Sequence, residues 1–280
     1  FYTGDAQALR GVYDAPYHVM SRHALCARGV ASDGGAMALV VGRLRNAAAL
    51  RDEVRPLGEK YTASDSALLL GAYRLWGEDC AEKLEGEALL VVIDQDAERL
   101  ILSSDRMGAA GALFYAPVRG GVAFAGHPEP LLRVPGVSRR VAREGLRMLF
   151  GLGPARTPGL TPLRDVFQLP PGTMLIADRH GHRTRRWFRL EARAHEDDGG
   201  KTIDTVRGLL EQAVDGAAVC QPVSMLSGGL DSSVLTALLA RRGGEVRSFS
   251  VDYEGNADYF KGGRYQPEQD APYVDRAVQA

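Results

Sequence analysis

The sequence is short of cysteine, of aromatic residues and of net charge, and each shortage excludes something. Only three cysteines, Cys26, Cys80 and Cys220, stand in 280 residues, and none forms a Cys-x-x-Cys pair. So sparse a set frames neither a disulfide scaffold nor a zinc ribbon; it reads as reduced, buried thiols in a cytosolic, cytoplasmic protein. The formal net charge is −1, which removes any general electrostatic pull toward nucleic acid or an anionic membrane. The basic run Arg183-Thr184-Arg185-Arg186 reads instead as a solvated strand edge. No apolar run approaches the roughly 18 residues of a membrane helix, and no charged start with an apolar stretch marks a signal peptide. What is plentiful is core. With 45% hydrophobic, 25% charged and 7% aromatic residues, the composition is that of a folded globular protein and not a disordered one. The length favours two domains of about 150 residues. The chain opens on Phe1 and stops at Ala280 inside a helical pattern at 271–280, so it is expected to be a fragment or a processed form.

Along the chain, residues 36–45 read as a strand and turn, and Asn46 as the cap of a helix over 47–56 with Leu50 inward. After Ser64, the spacing of Leu68, Leu69, Ala72, Tyr73 and Trp76 predicts a helix over 66–76, ended by Gly77. Strands follow at 87–94, 99–103, 112–116 and 121–125, with turns at 94–96 and 119–121. A helix is expected over 143–150, loops at Gly153-Pro154 and Thr157-Pro158-Gly159, and strands at 174–177 and 186–190 around His180-Gly181-His182. That histidine pair resembles a metal tract but reads as turn chemistry, because no further ligand lies nearby. Residues 195–201 are the linker candidate, separating a domain at 1–194 from the start of another at 202–280. Beyond it come a helix at 202–215, a strand at 222–226, a glycine-rich loop, a helix at 232–242 stopped by Gly243-Gly244, and a strand at 247–251. Strand, helix and strand at this spacing make a parallel α/β unit.

The loop Ser227-Gly228-Gly229-Leu230-Asp231-Ser232-Ser233 carries the chemistry. Gly228 and Gly229 lack side chains, so their N–H groups can close on an anion and φ can be positive. Ser232 and Ser233 open a helix whose unpaired N–H groups and dipole favour anions, and Ser227 adds a hydroxyl. Asp231 is best explained as a Mg²⁺ ligand that bridges to phosphate oxygens. The lysine of a Walker loop is missing, which argues against γ-phosphate transfer.

Leu226 through Ser233 resembles the Ser-Gly-Gly-x-Asp-Ser-Ser loop of the ATP-pyrophosphatase group, and within it the asparagine synthetase family. The resemblance implies that Ser227, Gly228, Gly229, Asp231, Ser232 and Ser233 hold the pyrophosphate of ATP. It also implies that Leu226 touches the nucleotide and that Val251 presents backbone to adenine. Upstream, Gly42-Arg43-Leu44-Arg45-Asn46, Ser64-Asp65-Ser66, Leu84-Glu85-Gly86, Ser104-Asp105-Arg106-Met107-Gly108 and Leu169-Pro170-Pro171-Gly172 are similar, in order, to the signatures of class II glutamine amidotransferase domains. The implied fold is an α+β N-terminal-nucleophile hydrolase-like αββα sandwich followed by a truncated α/β adenine-nucleotide α-hydrolase-like domain with a parallel sheet.

The amidotransferase pattern is incomplete. No N-terminal cysteine is present, so the catalytic group is unknown. Val41 and Arg43 occupy the positions of the family's Asn and Glu, leaving Gly42 and Asp65 to bind glutamine, Asp65 at its ammonium group. Either the segment bearing the cysteine is missing or the glutaminase site has decayed, and the loss of Asn and Glu favours decay. Arg28 aligns loosely with a family arginine for the glutamine carboxylate, but reads as a surface residue. Asp105-Arg106 reads as a structural ion pair. Residues 252–270 read as a surface loop from which Lys261 and Arg264 could approach phosphates.

The implied reaction is adenylation of aspartate or a similar carboxylate by ATP, followed by capture of ammonia from glutamine or solution. The implied partners are therefore small molecules, with room for a homodimer. The alternatives are a glutamine-independent cyclase resembling β-lactam synthetases or lasso-peptide cyclases, or a non-catalytic nucleotide-binding scaffold.

Overall fold

The computed structural model describes residues 17–20, 23–26, 29–153, 155, 157–218, 221–243, 245–264 and 266–280. Phe1, Arg28, Pro154, Cys220 and Gly244, which the motifs singled out, lie outside the described residues, and Cys26 is described in its backbone alone. The chain divides into two compact units, Phe1–Glu191 and Ala192–Ala280.

In the first unit, β1 (Tyr17–Met20) and β2 (His23–Cys26) form an antiparallel pair. Then come β3 (Ala31–Ser32), β4 (Ala36–Leu44), α1 (Ala47–Val54), α2 (Asp65–Trp76), the single turn α3 (Cys80–Lys83), β5 (Gly86–Asp94) and β6 (Arg99–Ser103). The unit continues with β7 (Phe114–Val118), β8 (Gly121–Ala125), α4 (Pro128–Leu131), α5 (Arg143–Leu152), β9 (Phe167–Gln168), β10 (Thr173–Asp178) and β11 (Gly181–Arg186). Six strands pair in the order β11-β10-β6-β5-β4-β3 and three in the order β8-β7-β9, all antiparallel.

The apolar runs of these strands are nearly continuous because the larger sheet is buried on both faces. Side chains alternate across a strand, so Ala36, Ala38, Leu90, Val92, Ile101, Met174 and Ile176 face Leu50, Val54, Leu68, Leu69 and Ala72 of α1 and α2. Their neighbours Met37, Leu39, Leu89, Val91, Ile93, Leu102 and Leu175 face Leu113 and Val122 of the smaller sheet region. Ala116 and Ala123, on the far side of the smaller sheet, pack with Leu131 of α4, Val134 and Val137. Helix, sheet, sheet and helix therefore stack in the expected αββα order.

α2 is fixed at both ends. Ser64 accepts from Ala67 N–H as its cap at 3.2 Å, and Gly77, at φ 56°, ends it. Asn46 departs from expectation. It makes no cap bond to α1; its amide accepts from Glu85 N–H and donates to Lys83 C=O, so it ties α1 to the turn before β5. The last strand also lies elsewhere. The strand read at 186–190 is β11 at 181–186, because Arg183 and Arg185 pair with Glu78 and Asp79 on one face. Trp187 then leaves the sheet to pack against the core. Cys80 is buried, and burial pushes its thiol up to about 12, so it is an inert core residue.

A polar network braces α2. Asp33 accepts from Arg74 at 2.7 and 2.8 Å and from Tyr61 at 3.0 Å. The Arg74 guanidinium holds the Asp33 carboxyl far below the usual carboxylate range, although burial opposes it. Tyr73 donates to Asp94 at 2.8 Å, and burial together with that carboxylate raises the phenol.

The second unit holds α6 (Gly199–Ala217), β12 (Val223–Met225), α7 (Leu230–Arg241), β13 (Arg247–Phe249), α8 (Asn256–Tyr259) and α9 (Ala271–Gln279). β12 and β13 are parallel, as the strand–helix–strand pattern requires. α6 begins at Gly199, inside the stretch read as linker, because Asp198 caps it by accepting from Lys201 N–H at 2.8 Å. Among the described residues no helix is long and apolar enough to cross a membrane.

Candidate functional site

β12 delivers the glycine-rich loop and α7 carries it away. Leu226 is buried, and its N–H extends the ladder to Phe249 C=O at 2.8 Å. Thr236 of α7 packs back on β12, its hydroxyl 3.0 Å from Ser224 Oγ and 2.7 Å from Ser232 C=O. Between them the chain must reverse tightly. Gly228 makes that turn at φ 77°, and a Cβ there would lie 2.7 Å from Tyr273 Cβ and 2.9 Å from Val274 N in the first turn of α9. Gly229 does not share this need. It is the N-cap of α7 at φ −69°, in extended backbone, so only Gly228 uses the left-handed region.

The three serines are not three free donors. Ser232 Oγ accepts from Ser227 N–H at 3.2 Å and lies 3.1 Å from Ser227 Oγ and 3.2 Å from Gly229 C=O, so it closes the loop on itself. Ser233 N–H donates to Gly229 C=O at 3.1 Å as the first helical bond of α7. Among the described residues the backbone amides of Leu230, Asp231 and Ser232 make no backbone bond outside the helix, so they stand as the donors of the helix start, where the dipole favours an anion. Asp231 stands in this first turn, exposed.

A cleft of about 380 Å³ opens beside the loop. Leu226, Ser227 and Val251 line it, whereas Gly228, Gly229, Asp231, Ser232 and Ser233 sit in the adjoining loop and helix turn. Leu226 lines the cleft while almost wholly buried. The rest of the wall was not foreseen. Ser250, Asp252, Asn256, Phe260, Gln266, Asp270, Val274 and Asp275 line the cleft, most of them from the stretch read as a plain surface loop. Asn256 Nδ2 donates to Asp252 at 2.8 Å, and Gln269 Nε2 to Asn256 C=O at 3.0 Å, which folds that stretch over the end of β13. Lys261 and Arg264 do not line it. The four-residue α8 is too short to announce itself by periodicity.

No group of three or more His, Cys, Asp or Glu side chains among the described residues could hold a metal ion. The donor set at the loop is one carboxylate, Asp231, beside open amides. That fits a magnesium ion borne mainly by phosphate oxygens and water, and does not fit a cation caged by protein alone.

In the first unit, Gly42 and Asp65 meet at one corner. Asp65 Oδ2 accepts from Leu44 N–H at 3.0 Å, and Ser66 Oγ from Val40 N–H at 3.1 Å, so the first turn of α2 grips β4 on both sides of Gly42. Gly42 has φ 115°, and a Cβ there would overlap Glu87 C=O. Val41 is exposed beside it, and Arg43 lies across from Glu87 of β5. Asp105 is not an ion-pair partner of Arg106. Its buried carboxylate accepts from the amides of Met107, Gly108, Ala109 and Ala110, capping a turn, while Arg106 stacks 5.6 Å from the Phe188 ring.

Known proteins resemble both units. Residues 26–188 match the glutamine amidotransferase domain family, and residues 205–280 match the asparagine synthase family. The chain is 34% identical over 247 residues to asparagine synthetase [glutamine-hydrolyzing] 3 of Bacillus subtilis, covering 85% of this chain and 40% of that protein. It is 24% identical over 208 residues to a putative asparagine synthetase [glutamine-hydrolyzing] 2 of Methanocaldococcus jannaschii, covering 71% and 40%. The chain thus spans about two-fifths of the length of these curated relatives. Among solved structures, glutamine phosphoribosylpyrophosphate amidotransferase of B. subtilis aligns at TM-score 0.39 and 16% identity, over 84% of this chain and 50% of that one.

Proposed function

This chain belongs to the glutamine amidotransferase family over residues 26–188 and continues as an asparagine synthase segment over residues 205–280, and on that basis we propose that it serves an ATP-dependent, amide-forming ligase of the asparagine synthetase type. The observation that carries the reading is the Ser227–Ser233 loop, with Gly228 in a left-handed turn, the open amides of α7 and the exposed carboxylate of Asp231 beside a cleft.

In this reading ATP lies with its nucleoside in the cleft and its pyrophosphate against the loop amides. A carboxylate oxygen of aspartate, or of a similar acid, attacks the α-phosphorus. The bond to the β-phosphate oxygen breaks, giving an acyl-adenylate and pyrophosphate. Ammonia then attacks the acyl carbon, releasing AMP and leaving an amide. The chain's contribution at the loop is fixed N–H dipoles aimed where negative charge grows on the leaving pyrophosphate. Asp231 would hold a phosphate-bound Mg²⁺, whose chemistry is charge neutralisation on that leaving group. Gly42 and Asp65 would frame the glutamine pocket of the first unit. Val41 and Arg43 beside them favour a second reading, in which ammonia comes from solution. The protein's site is proposed to take only small molecules.

The test is ATP–pyrophosphate exchange dependent on aspartate. Exchange that requires both aspartate and a divalent cation supports the reading; no exchange with any carboxylate would overturn it in favour of a nucleotide-binding scaffold.

A further inference from the structure

We infer that Ser250 is a positioning residue that decides which backbone groups the cleft offers to a nucleoside; the inference rests on the nucleotide reading above. β12 and β13 run in parallel register, with Ser224 opposite Ser248 and Met225 opposite Phe249. The next rung starts normally, Leu226 N–H donating to Phe249 C=O at 2.8 Å. In a regular parallel ladder the same residue also accepts from the amide two residues further along the partner strand. That bond would run from Val251 N–H to Leu226 C=O. It is not made among the described residues. The Ser250 hydroxyl takes its place, donating to Leu226 C=O at 2.6 Å.

A side-chain hydroxyl thus competes with the ladder and wins one rung of it. One consequence is local: the carbonyl just before Ser227 keeps a partner, so the loop departs from a fixed point. The other reaches the ligand. Val251 is 74% exposed and lines the cleft, and its N–H, not taken by the ladder among the described residues, would be left to donate to the edge of a planar base. An alanine at 250 would leave Leu226 C=O open to Val251 N–H. The ladder would close, and the amide would be withdrawn from the cleft. Ser250 itself need not touch the nucleotide; it acts through Val251.

The experiment compares the wild-type protein with Ser250→Ala and Ser250→Thr. It measures ATP affinity by calorimetry, KM and kcat in pyrophosphate exchange, and affinity for tripolyphosphate, which has no base. Ser250→Ala is expected to weaken ATP roughly tenfold in both Kd and KM, the worth of one hydrogen bond. Its kcat should stay within roughly twofold, because a base contact is the same in ground and transition states. Tripolyphosphate should bind wild type and Ser250→Ala alike, and Ser250→Thr should restore ATP affinity. If Ser250→Ala binds ATP as well as wild type does, the positioning role is overturned while the nucleotide reading stands. Parallel loss of ATP and tripolyphosphate also overturns it, assigning the hydroxyl to loop folding alone. A wild-type protein that binds no ATP would overturn the nucleotide reading and this inference together.

Discussion

At the scale of single residues, chemistry and backbone geometry make separable demands on the loop. Asp231 is exposed in the first turn of α7 and makes no contact among the described residues on which the fold depends. Asp231→Ala should therefore cost no more than about 1 kcal/mol of stability, the worth of an acidic side chain against the helix dipole, while abolishing pyrophosphate exchange. Retained exchange in that variant would remove the magnesium assignment. Gly228 is the opposite case. A Cβ at φ 77° is strained and lies 2.7 Å from Tyr273 Cβ, so Gly228→Ala combines a left-handed penalty of about 1–2 kcal/mol with overpacking. Loss of ATP binding should come with increased amide exchange in the first turn of α9. If that exchange is unchanged, the loop does not lean on α9 in solution. The adjacent Gly229 lies in extended backbone, and a Cβ there would meet nothing closer than Ser227 Oγ at 3.4 Å. It should tolerate alanine far better. The paired glycines look equivalent in sequence; φ and the nearness of α9 separate them.

At the scale of elements, the strongest lever is the tie between α2 and the start of β4. Asp33 is held by Arg74 and Tyr61, and its carboxyl sits far below the ordinary range. A depressed folded pKa means that its stabilisation is complete above the unfolded value of about 3.9 and is lost as pH falls through and below it. Asp33→Asn should cost about 2 kcal/mol at pH 7, the worth of a charge-assisted hydrogen bond, and the gap from wild type should narrow as acid is added. A gap independent of pH in urea melts would show that Arg74 does not stabilise the charged form. The same elements show what sequence can and cannot disclose. α2 was legible because Leu68, Leu69, Ala72 and Tyr73 recur on one face and Ser64 caps it. β5 was legible as an apolar run, since both of its faces are buried. β11 was misplaced because an edge strand of Gly-His-Arg-Thr-Arg-Arg shows no apolar alternation. Its identity comes from pairing along β10, and Arg183 and Arg185 then reach Glu78 and Asp79, about a hundred residues away in sequence. The cleft wall was missed for a related reason. Asn256 and Gln269 are joined by a side-chain bond that no local pattern records.

At the scale of the whole molecule, the source of nitrogen in the proposed reaction would turn on the first unit. Among the described residues the αββα unit packs around its core, and Gly42 keeps the turn that the glutamine corner would need. The residues flanking that turn are Val41 and Arg43, where the amidotransferase resemblance implies Asn and Glu. Val41 offers no side-chain hydrogen bond to an amide, and Arg43 sits in register with Glu87 of β5, whose carboxylate is paired with Arg45. Asp65 has one oxygen committed to Leu44 N–H, so its carboxylate alone is left to recognise an ammonium group. A pocket that cannot pair the polar groups of a substrate discriminates poorly in its favour. Amide formation should therefore run at least roughly tenfold faster with ammonium than with glutamine at equal concentration. Val41→Asn with Arg43→Glu should narrow that ratio. The Glu87 side chain would then face a like charge, so the double variant should be compared with Val41→Asn alone to separate pocket chemistry from strand pairing. Equal rates with the two nitrogen donors in the wild-type protein would show that Val41 and Arg43 leave glutamine chemistry intact, and that the corner of Gly42 and Asp65 suffices.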